Sequence, residues 1–546
     1  MNPTQTQRSA PQVDPGALLP AEWSLELDVL LVVGEDAGVI AQRFADYGLQ
    51  RVVAMFPTGV PVEPTAASVT VVKTRQALND AVLLFPGARP QRFAMIRTPR
   101  CSASREDTAA INRILANAVQ LRRSNETVVD DLSPLWATNG LKNLPEIAKR
   151  PLVNDVGEAL AGVPLIVVGS GPSLSKNIHL LQHAKGRAIV LCVARALRSL
   201  QRAGVQPDLA INAEPQDVAC QFDGIDASAL TGLVLCTTSH SSLYGLDAAN
   251  ILSYVGNGQS DDWMLPEPVD LVSSGGSVSC SGVGLGVLWK CDPIILVGQD
   301  LSFPGGAYYH SDGADGDARA VRDEASGGWR LEGHSDELRR TVMDRTSDGI
   351  IRMRGTKVPG YFGGLVDTSY DFAQFREWLQ NTALDHPTTQ FFNCTEGGAR
   401  IDGMTHIPLI EVLRTLSPHN VDLHEAFNSD EVQAAVNLRE PVMRARDRTV
   451  RAGLANAIRQ AQRCVELIDS SRHDHRALRK LAKAEAALKQ TTKTMTVLSL
   501  MDQRVIHKVI ERSKTAQTQA DKLHAARMLY QFIADDGQRL LSAVSP

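Results

Sequence analysis

Apolar residues recur along this chain in two rhythms. Over roughly the first 410 residues they gather in short unbroken runs separated by glycine, proline and polar clusters. LDVLLVVG (27–34) reads as a buried strand, AGVIAQRFADYG (37–48) as a helix and RVVAMF (51–56) as another strand. SVTVVK and FAMIR add two strands, with helix-like ALNDAVLLF between them, and DTAAINRILANAVQLRRS (107–124) is a helical stretch leading out of this unit. Beyond residue 150 the alternation sharpens. Strands are expected at 164–169, 188–193, 208–212, 233–238, 252–256 and 293–298, with helices over Leu174–Gln182, Ala196–Ala203 and Val278–Trp289. Strands alternating with helices imply right-handed crossovers and a mostly parallel sheet, with ligands at the carboxyl ends of its strands.

The second rhythm begins after residue 410. From Glu411 onward 136 residues hold two glycines, Gly453 and Gly537, while the other 39 precede them. Glycine is unfavourable inside helices and useful in turns, so the last quarter is expected to be helical. Leu478, Leu481, Ala484 and Leu488 form one row at helical spacing, and Leu498, Met501, Val505 and Val509 another. Breaks near Arg472 and Thr491 suggest antiparallel helices in a bundle. The basic run RHDHRALRKLAK reads as a solvated helix face. Between Ser302 and about Thr356 Gly, Asp, Arg and Ser dominate; so long a loop inside a domain is either an active-site cover or disordered. The expected organisation is a disordered tail (1–22), an N-terminal α/β domain (23–130), a central α/β domain (131–410) and a C-terminal helical domain (411–546).

Composition narrows the function classes. The 546 residues carry a formal charge of −5, too mild to argue for a nucleic-acid partner. The longest apolar runs are strand-sized, far short of a membrane span, and the N-terminus lacks the charged start and apolar stretch of a secretory signal. Eight cysteines show no CxxC spacing, and several sit in apolar runs where thiols act as small hydrophobes. A reduced, cytoplasmic protein is expected.

The clearest candidate site is VVGSGPSLSKN. A strand ends at Val168, then Gly169, Ser170, Gly171 and Pro172 make a tight loop, and a helix begins near Ser173, which can cap it. Glycines let backbone approach a phosphate, and a helix N-terminus offers unpaired N–H groups. No GK[ST] follows, so this is not a Walker loop, and Leu174 breaks the dinucleotide GxGxxG pattern. Polar residues recur after other strands: Asn212 and Glu214 in DLAINAEPQD, Asn257 in YVGNGQ, Gly276 and Ser277 in the second glycine-serine turn SSGGSVS, and Gln299 and Asp300 in GQDLSF. Any one reads as a satisfied turn residue. Jointly they favour a nucleotide or sugar site.

These residues carry a family resemblance. VVGSGPSLSKN, ARALRSLQRAGVQPDLAINAEP, GGSVS with PIILVGQDLSF, and NCTEGGARIDG (393–403) resemble the motility-associated factor (Maf) flagellin glycosyltransferases, and SPLWATNGLKNLPEIAKRPLV (133–153) looks like that family's lead-in. The resemblance spans roughly residues 130–410. It implies a Rossmann-like sheet similar to that of bacterial sialyltransferases, inside a superfamily that includes 6-hydroxymethylpterin diphosphokinases. It also implies transfer of a pseudaminic or legionaminic acid from a CMP-activated donor to Ser or Thr of flagellin. Residues 169–173 would then hold CMP through backbone N–H groups, Asn212 its ribose or base, and Tyr308 with Tyr309 would steady the leaving phosphate without metal.

For the general base, His310 is best placed by sequence, with His240 and Asp300 in reserve. Glu396 is a further catalytic or sugar-binding candidate, although it could instead pair with Arg400 to fix its turn. DGADGDAR (312–319) lacks the EF-hand pattern, and no metal or cofactor is expected to be required. Flagellin is the expected partner, with the C-terminal helices suited to recognising it and separable near Leu409. Two other readings stay open: an ATP-dependent pterin pyrophosphokinase using Asp300, Asp312 and Glu214 for Mg²⁺, and a non-catalytic flagellin-binding adaptor.

Overall fold

The computed structural model describes residues 14–19, 28–56, 69–75, 93–256, 264–324, 327–336, 350–419, 421–470, 475–495 and 518–543, with isolated positions elsewhere. Asn257, most of the expected N-terminal tail and the expected break near Arg472 lie outside the described residues. The chain divides into two compact units, Met1–Glu126 and Thr127–Pro546.

In the first unit, β1 (Val29–Val33), β2 (Val52–Met55), β3 (Val69–Val72) and β4 (Phe93–Arg97) form a parallel sheet in the order β3-β2-β1-β4. Helix α1 (Ala37–Asp46) turns Ile40, Ala41 and Phe44 inward against one face. Ile111, Ile114 and Leu115 of α2 (Arg105–Ile147) share a core with Val29 and Leu31 from the other face of β1.

The second unit is built on eight parallel strands. They are β5 (Leu165–Val168), β6 (Ile189–Val193), β7 (Leu209–Asn212), β8 (Gly232–Cys236), β9 (Ile251–Tyr254), β10 (Ile294–Val297), β16 (Phe391–Asn393) and β17 (Thr405–His406). Their order is β17-β16-β10-β5-β6-β7-β8-β9. The fold is thus α/β with a Rossmann-like parallel sheet, and each expected strand is present within a residue or two, shortened at its ends. Unbroken apolar runs are what such strands need, because both faces are covered: β5 through β10 are buried along their whole length. Connections are tighter than the sequence suggests. Leu174–Gln182 forms two 3₁₀ segments, Pro172–Lys176 and Ile178–Ala184, in place of one α-helix. Ala196–Ala203 narrows to α3 (Leu197–Arg202), whereas α4 (Val278–Leu288) matches its expectation closely.

The glycine-rich stretch after Ser302 is folded. β11 (Arg319–Asp323), β12 (Gly328–Glu332) and β13 (Ile351–Met353) form an antiparallel sheet, and β14 (Gly355–Pro359) with β15 (Leu365–Ser369) a hairpin. Ala318, Ala320, Leu331, Ile351 and Met353 enclose a small core with Phe303 and Tyr308. Its strands supply only one or two buried apolar residues each between charged ones, which hides them from a search for apolar runs. Helix α5 (Tyr370–Asp385) follows, its N-terminus capped by the Ser369 hydroxyl.

After α6 (Leu409–Thr415) and α7 (Leu423–Asn428) come the long helices α8 (Asp430–Ser470), α9 (His475–Met495) and α10 (Gln519–Ala543). Leu481, Ala484 and Leu488 are buried, as their spacing requires, and α9 runs through the expected break at Thr491. These helices are continuous with the sheet's core. Phe427 is fully buried with its ring 6.1 Å from that of Trp289, and Arg439 on α8 makes a bidentate pair with Asp155 at 2.8 and 2.7 Å, both groups nearly buried. Removing one partner of such a pair destabilises by about 3–5 kcal/mol, and deleting a buried phenylalanine side chain costs as much again. A chain ending near Leu409 is therefore expected to unfold, lacking a cooperative melt by circular dichroism, rather than to survive as a separate donor-binding piece.

Candidate functional site

The order of the eight-stranded sheet fixes where a ligand fits. From β5 the chain builds outward through β6 to β9, then returns to place β10 on the other side of β5. That reversal between β5 and β10 leaves a crevice at their carboxyl ends, where open α/β sheets bind ligands. A cleft of about 1000 Å³, part of it open to solvent, lies there. Its wall includes Ser170, Gly171 and Pro172 after β5, Arg195 after β6, Asn212 at the end of β7 with Glu214 beyond it, and Gln299, Asp300 and Ser302 after β10. Gly276 to Ser279 at the start of α4, and the rings of Tyr308, Tyr309, Phe372 and Phe375, complete it.

The loop after β5 is shaped mainly by its neighbours. The N–H of Gly169 donates to Val297 O at 2.8 Å, that of Gly171 to Gly298 O at 2.9 Å and that of Ser173 to Asp300 Oδ2 at 3.0 Å. Pro172 has none, so Ser170 alone keeps an N–H without a protein acceptor among the described residues. This corrects the expectation that residues 169–173 form a ready-made N–H cradle. The glycines have a different reason. A Cβ on Gly169 would lie 2.6 Å from Gly298 O, and one on Gly171 would lie 2.2 Å from Asp300 Oδ2 and 2.6 Å from Gly298 O. Two strand-end loops are pressed together, and only glycine fits between them. Ser173 is buried behind the loop and does not cap a helix through its side chain.

Asp300 is the pivot of the cleft. It is 2% exposed, its Oδ2 accepts from Ser173 N–H, and its Oδ1 is buried without a partner. Burial raises its pKa to about 6, against the opposing pull of the Ser173 hydrogen bonds. Two residues on, the buried Ser302 hydroxyl also lacks a partner. Leu301 between them takes a left-handed φ of 49°, a conformation that costs of order 1 kcal/mol for a residue with a side chain. Both Asp300 and Ser302 line the cleft.

Opposite them, α4 starts at the cleft. Ser277 precedes it with extended backbone and makes no side-chain capping bond, so the helix's first N–H groups face an opening that favours an anion. Asn212 accepts from Glu214 N–H at 2.8 Å through Oδ1, a tight turn that leaves its amide Nδ2 for a ligand. Behind these loops, two asparagines of α2 hold the strand ends in place. Asn139 Nδ2 donates to Pro215 O and Thr238 O, and Asn143 Nδ2 to Thr237 O and Ser239 O, all within 3.1 Å. Tyr308 stacks on Phe303 and meets Tyr309 edge to face at 4.7 Å. Burial holds the Tyr308 phenol far above its usual range, so it stays protonated.

Other expected residues fall elsewhere. His310 is 3% exposed behind the loop, its N–H donating to Ser170 O and its Nδ1 accepting from Asp312 N–H; burial lowers its pKa. It braces the loop and does not line the cleft. His240 caps the 3₁₀ turn Ser241–Gly245, with Nδ1 2.8 Å from Ser242 Oγ. Glu396, at φ 56°, accepts through Oε1 from Leu409 N–H at the start of α6 and from Asn177 Nδ2, while its carbonyl accepts from Lys176 Nζ. It does not pair with Arg400, which bonds Asp402 instead. Glu396→Ala is accordingly expected to cost about 1 kcal/mol through loss of this cap, read by denaturant titration, with ligand binding unchanged. Among the described residues no cluster of three His, Cys, Asp or Glu side chains has the makings of a metal site, and no helix is long and apolar enough to cross a membrane.

Sequence reasoning missed Arg195, Gln221, Ser302, Phe372 and Phe375. Arg195 and Ser302 follow strands and could have been found by asking which polar residues sit at carboxyl ends. The two phenylalanines arrive on α5, more than 60 residues after β10, and no local signal brings them to the cleft.

Comparison with known proteins bears on this same region. Residues 138–306 match the family model described as 6-hydroxymethylpterin diphosphokinase MptE-like, a stretch holding β5 to β10 and most of the cleft wall. The match falls in the superfamily that the sequence motifs resemble. Among solved structures, the chain is similar to a MAf glycosyltransferase from Magnetospirillum magneticum AMB-1, at 14% identity over 95% of this chain and 78% of that one, with a TM-score of 0.45. No curated protein matches the chain.

Proposed function

We propose that the chain is a glycosyltransferase that moves a nonulosonic acid of pseudaminic or legionaminic type from a CMP-activated donor to Ser or Thr hydroxyls of flagellin. The observation that carries this reading is Asp300: a buried carboxyl with one unpaired oxygen, on the cleft at the sheet's switch point. A carboxyl that titrates near pH 6 suits a general base working close to neutrality. In the transfer, the sugar's anomeric carbon–oxygen bond to CMP breaks and the electron pair leaves with the phosphate. The acceptor hydroxyl forms the new bond and gives its proton to Asp300. The N-terminus of α4 receives the phosphate charge, and the Tyr308–Tyr309 wall covers one side of the sugar nucleotide. Asp300 takes the role over His310 because it reaches the cleft and His310 does not.

A second reading has an observation of its own. The family-model match names a pterin diphosphokinase, and Glu214 and Asp300 both line the cleft, where a pyrophosphokinase would use carboxylates to hold Mg²⁺ beside a triphosphate. Thermal shift separates the two, since a ligand that binds only the folded state raises apparent stability. The expected result is stabilisation by CMP and CDP without metal, and little by ADP or ATP. Selective stabilisation by ATP with Mg²⁺, accompanied by AMP release on adding a pterin, would transfer the reading to the kinase. A non-catalytic adaptor predicts that no nucleotide stabilises the chain while flagellin is still captured.

A further inference from the structure

Helix α8 is apolar on two opposite faces. Val432, Val436, Met443 and Val450 are buried against the rest of the protein. With about 3.6 residues per turn, the other side carries Ala434, Leu438, Pro441, Val442 and Ala445. All five are exposed, Leu438 at 77% and Val442 at 46%. A surface helix normally turns a polar face to water, so a continuous exposed apolar row is the mark of an interface. Positions 434, 438, 441 and 445 are spaced four, three and four apart, the seam of a helix that packs lengthwise on another. Glu431 closes the row at its N-terminal end and Arg448 flanks it at its C-terminal end, both exposed, with no charged residue in the row between them.

The order of these residues is complementary to its own reverse. Laid antiparallel on a copy of itself, about a twofold axis between Arg439 and Glu440, the row sets Leu438 against Pro441, Ala434 against Ala445 and Glu431 against Arg448. Twofold symmetry makes each of these pairs occur twice. A parallel copy in register would instead set Glu431 on Glu431 and Arg448 on Arg448. The small alanines let two backbones approach, and the opposite charges meet at both ends. We propose that α8 docks on α8 of a second copy of this chain, antiparallel and in this register, giving a twofold dimer. At about 1.5 Å per residue the seam is about 25 Å long. One helix pair is a small interface, so the dimer exchanges with monomer, with a dissociation constant of about 1–100 µM.

The test is analytical ultracentrifugation of the full chain from micromolar to several hundred micromolar, with circular dichroism melts of every variant. Wild type is expected to pass from monomer to dimer over that range, and added salt to weaken the dimer. Leu438→Glu puts a carboxylate near the axis in both copies and should weaken dimerisation by at least about 100-fold. Because Leu438 is exposed in the single chain, the melt of the monomer should not change. Glu431→Arg and Arg448→Glu each set like charges opposite one another twice, and should each weaken the dimer about 10-fold. The double variant Glu431→Arg/Arg448→Glu restores opposite charges and should return to within about threefold of wild type, a rescue that mere loosening of the helix would not give. Glu431 lies in the first turn, so Arg448→Glu with Leu438→Glu decides the matter if Glu431→Arg does not fold. A wild type that stays monomeric throughout overturns the proposal, as does a dimer that Leu438→Glu leaves intact. Single charge swaps without rescue in the double variant overturn the antiparallel register. A monomeric wild type that captures flagellin, with capture lost in Leu438→Glu, gives the row to the acceptor and overturns the dimer.

Discussion

Asp300→Asn is expected to abolish transfer and stabilise the protein at the same time. In the folded chain the Asp300 carboxyl keeps its proton up to about pH 6, whereas in the unfolded chain it would lose it near 4. The folded state therefore binds more protons between those values, and stability falls as pH rises through that window. Above it the buried carboxylate costs about 3 kcal/mol relative to an unperturbed group. Asparagine keeps an oxygen for Ser173 N–H and carries no charge. Its melting temperature should exceed that of wild type by several degrees at pH 8, and the gap should close below about pH 4. Transfer should drop by about 10²- to 10⁴-fold, the range for loss of a positioned general base. Wild type should also show an acid limb in its rate near pH 6. If Asp300→Asn transfers sugar at the wild-type rate, the carboxyl is not the base.

Gly171 provides the second large effect, with the opposite sign for stability. Its backbone at φ −70° is ordinary for any residue, so strain in the chain is not the issue. Space is. Even the methyl group of Gly171→Ala would sit 2.2 Å from Asp300 Oδ2 and 2.6 Å from Gly298 O. Something must move, and the first contact to open is the Ser173–Asp300 hydrogen bond. Overpacking of this kind typically costs about 1–3 kcal/mol, and Gly171→Val should exceed that or fail to fold. Denaturant midpoints for the alanine variant, with CMP binding measured alongside, check it. Wild-type stability with only ligand binding lost would show instead that the loop is shaped for phosphate.

These two predictions indicate where sequence reading succeeds and where it stops. β5 to β10 were legible because a strand covered on both faces must be a continuous apolar run, and few other elements look like that. That Ser170, Asn212, Ser277, Gln299 and Asp300 would share one cleft wall was legible because a parallel sheet brings the carboxyl ends of its strands to one edge. What the glycines of GSGP are for was not legible. Close approach to a phosphate and close approach to a neighbouring loop demand the same residue, and only the 2.2 Å from Asp300 tells them apart. His310 failed for a related reason: adjacency in sequence to Tyr308 and Tyr309 does not say which way a side chain faces. Glu396 looked chemical because it is acidic and stands among glycines, yet its carboxylate is consumed by Leu409 and Asn177, 13 and 219 residues away.

The hydrogen bond from Ser173 to Asp300 joins the loop after β5 to a carboxyl whose charge changes near pH 6. A ligand that draws Ser170 or Gly171 toward itself also alters the grip of Ser173 on that carboxylate. Occupancy and proton affinity then become two readings of one coordinate. Titrated near pH 6 in buffers of different ionisation enthalpy, ligand binding should carry a fractional proton whose heat tracks the buffer. Asp300→Asn should silence that exchange and leave the binding heat independent of buffer.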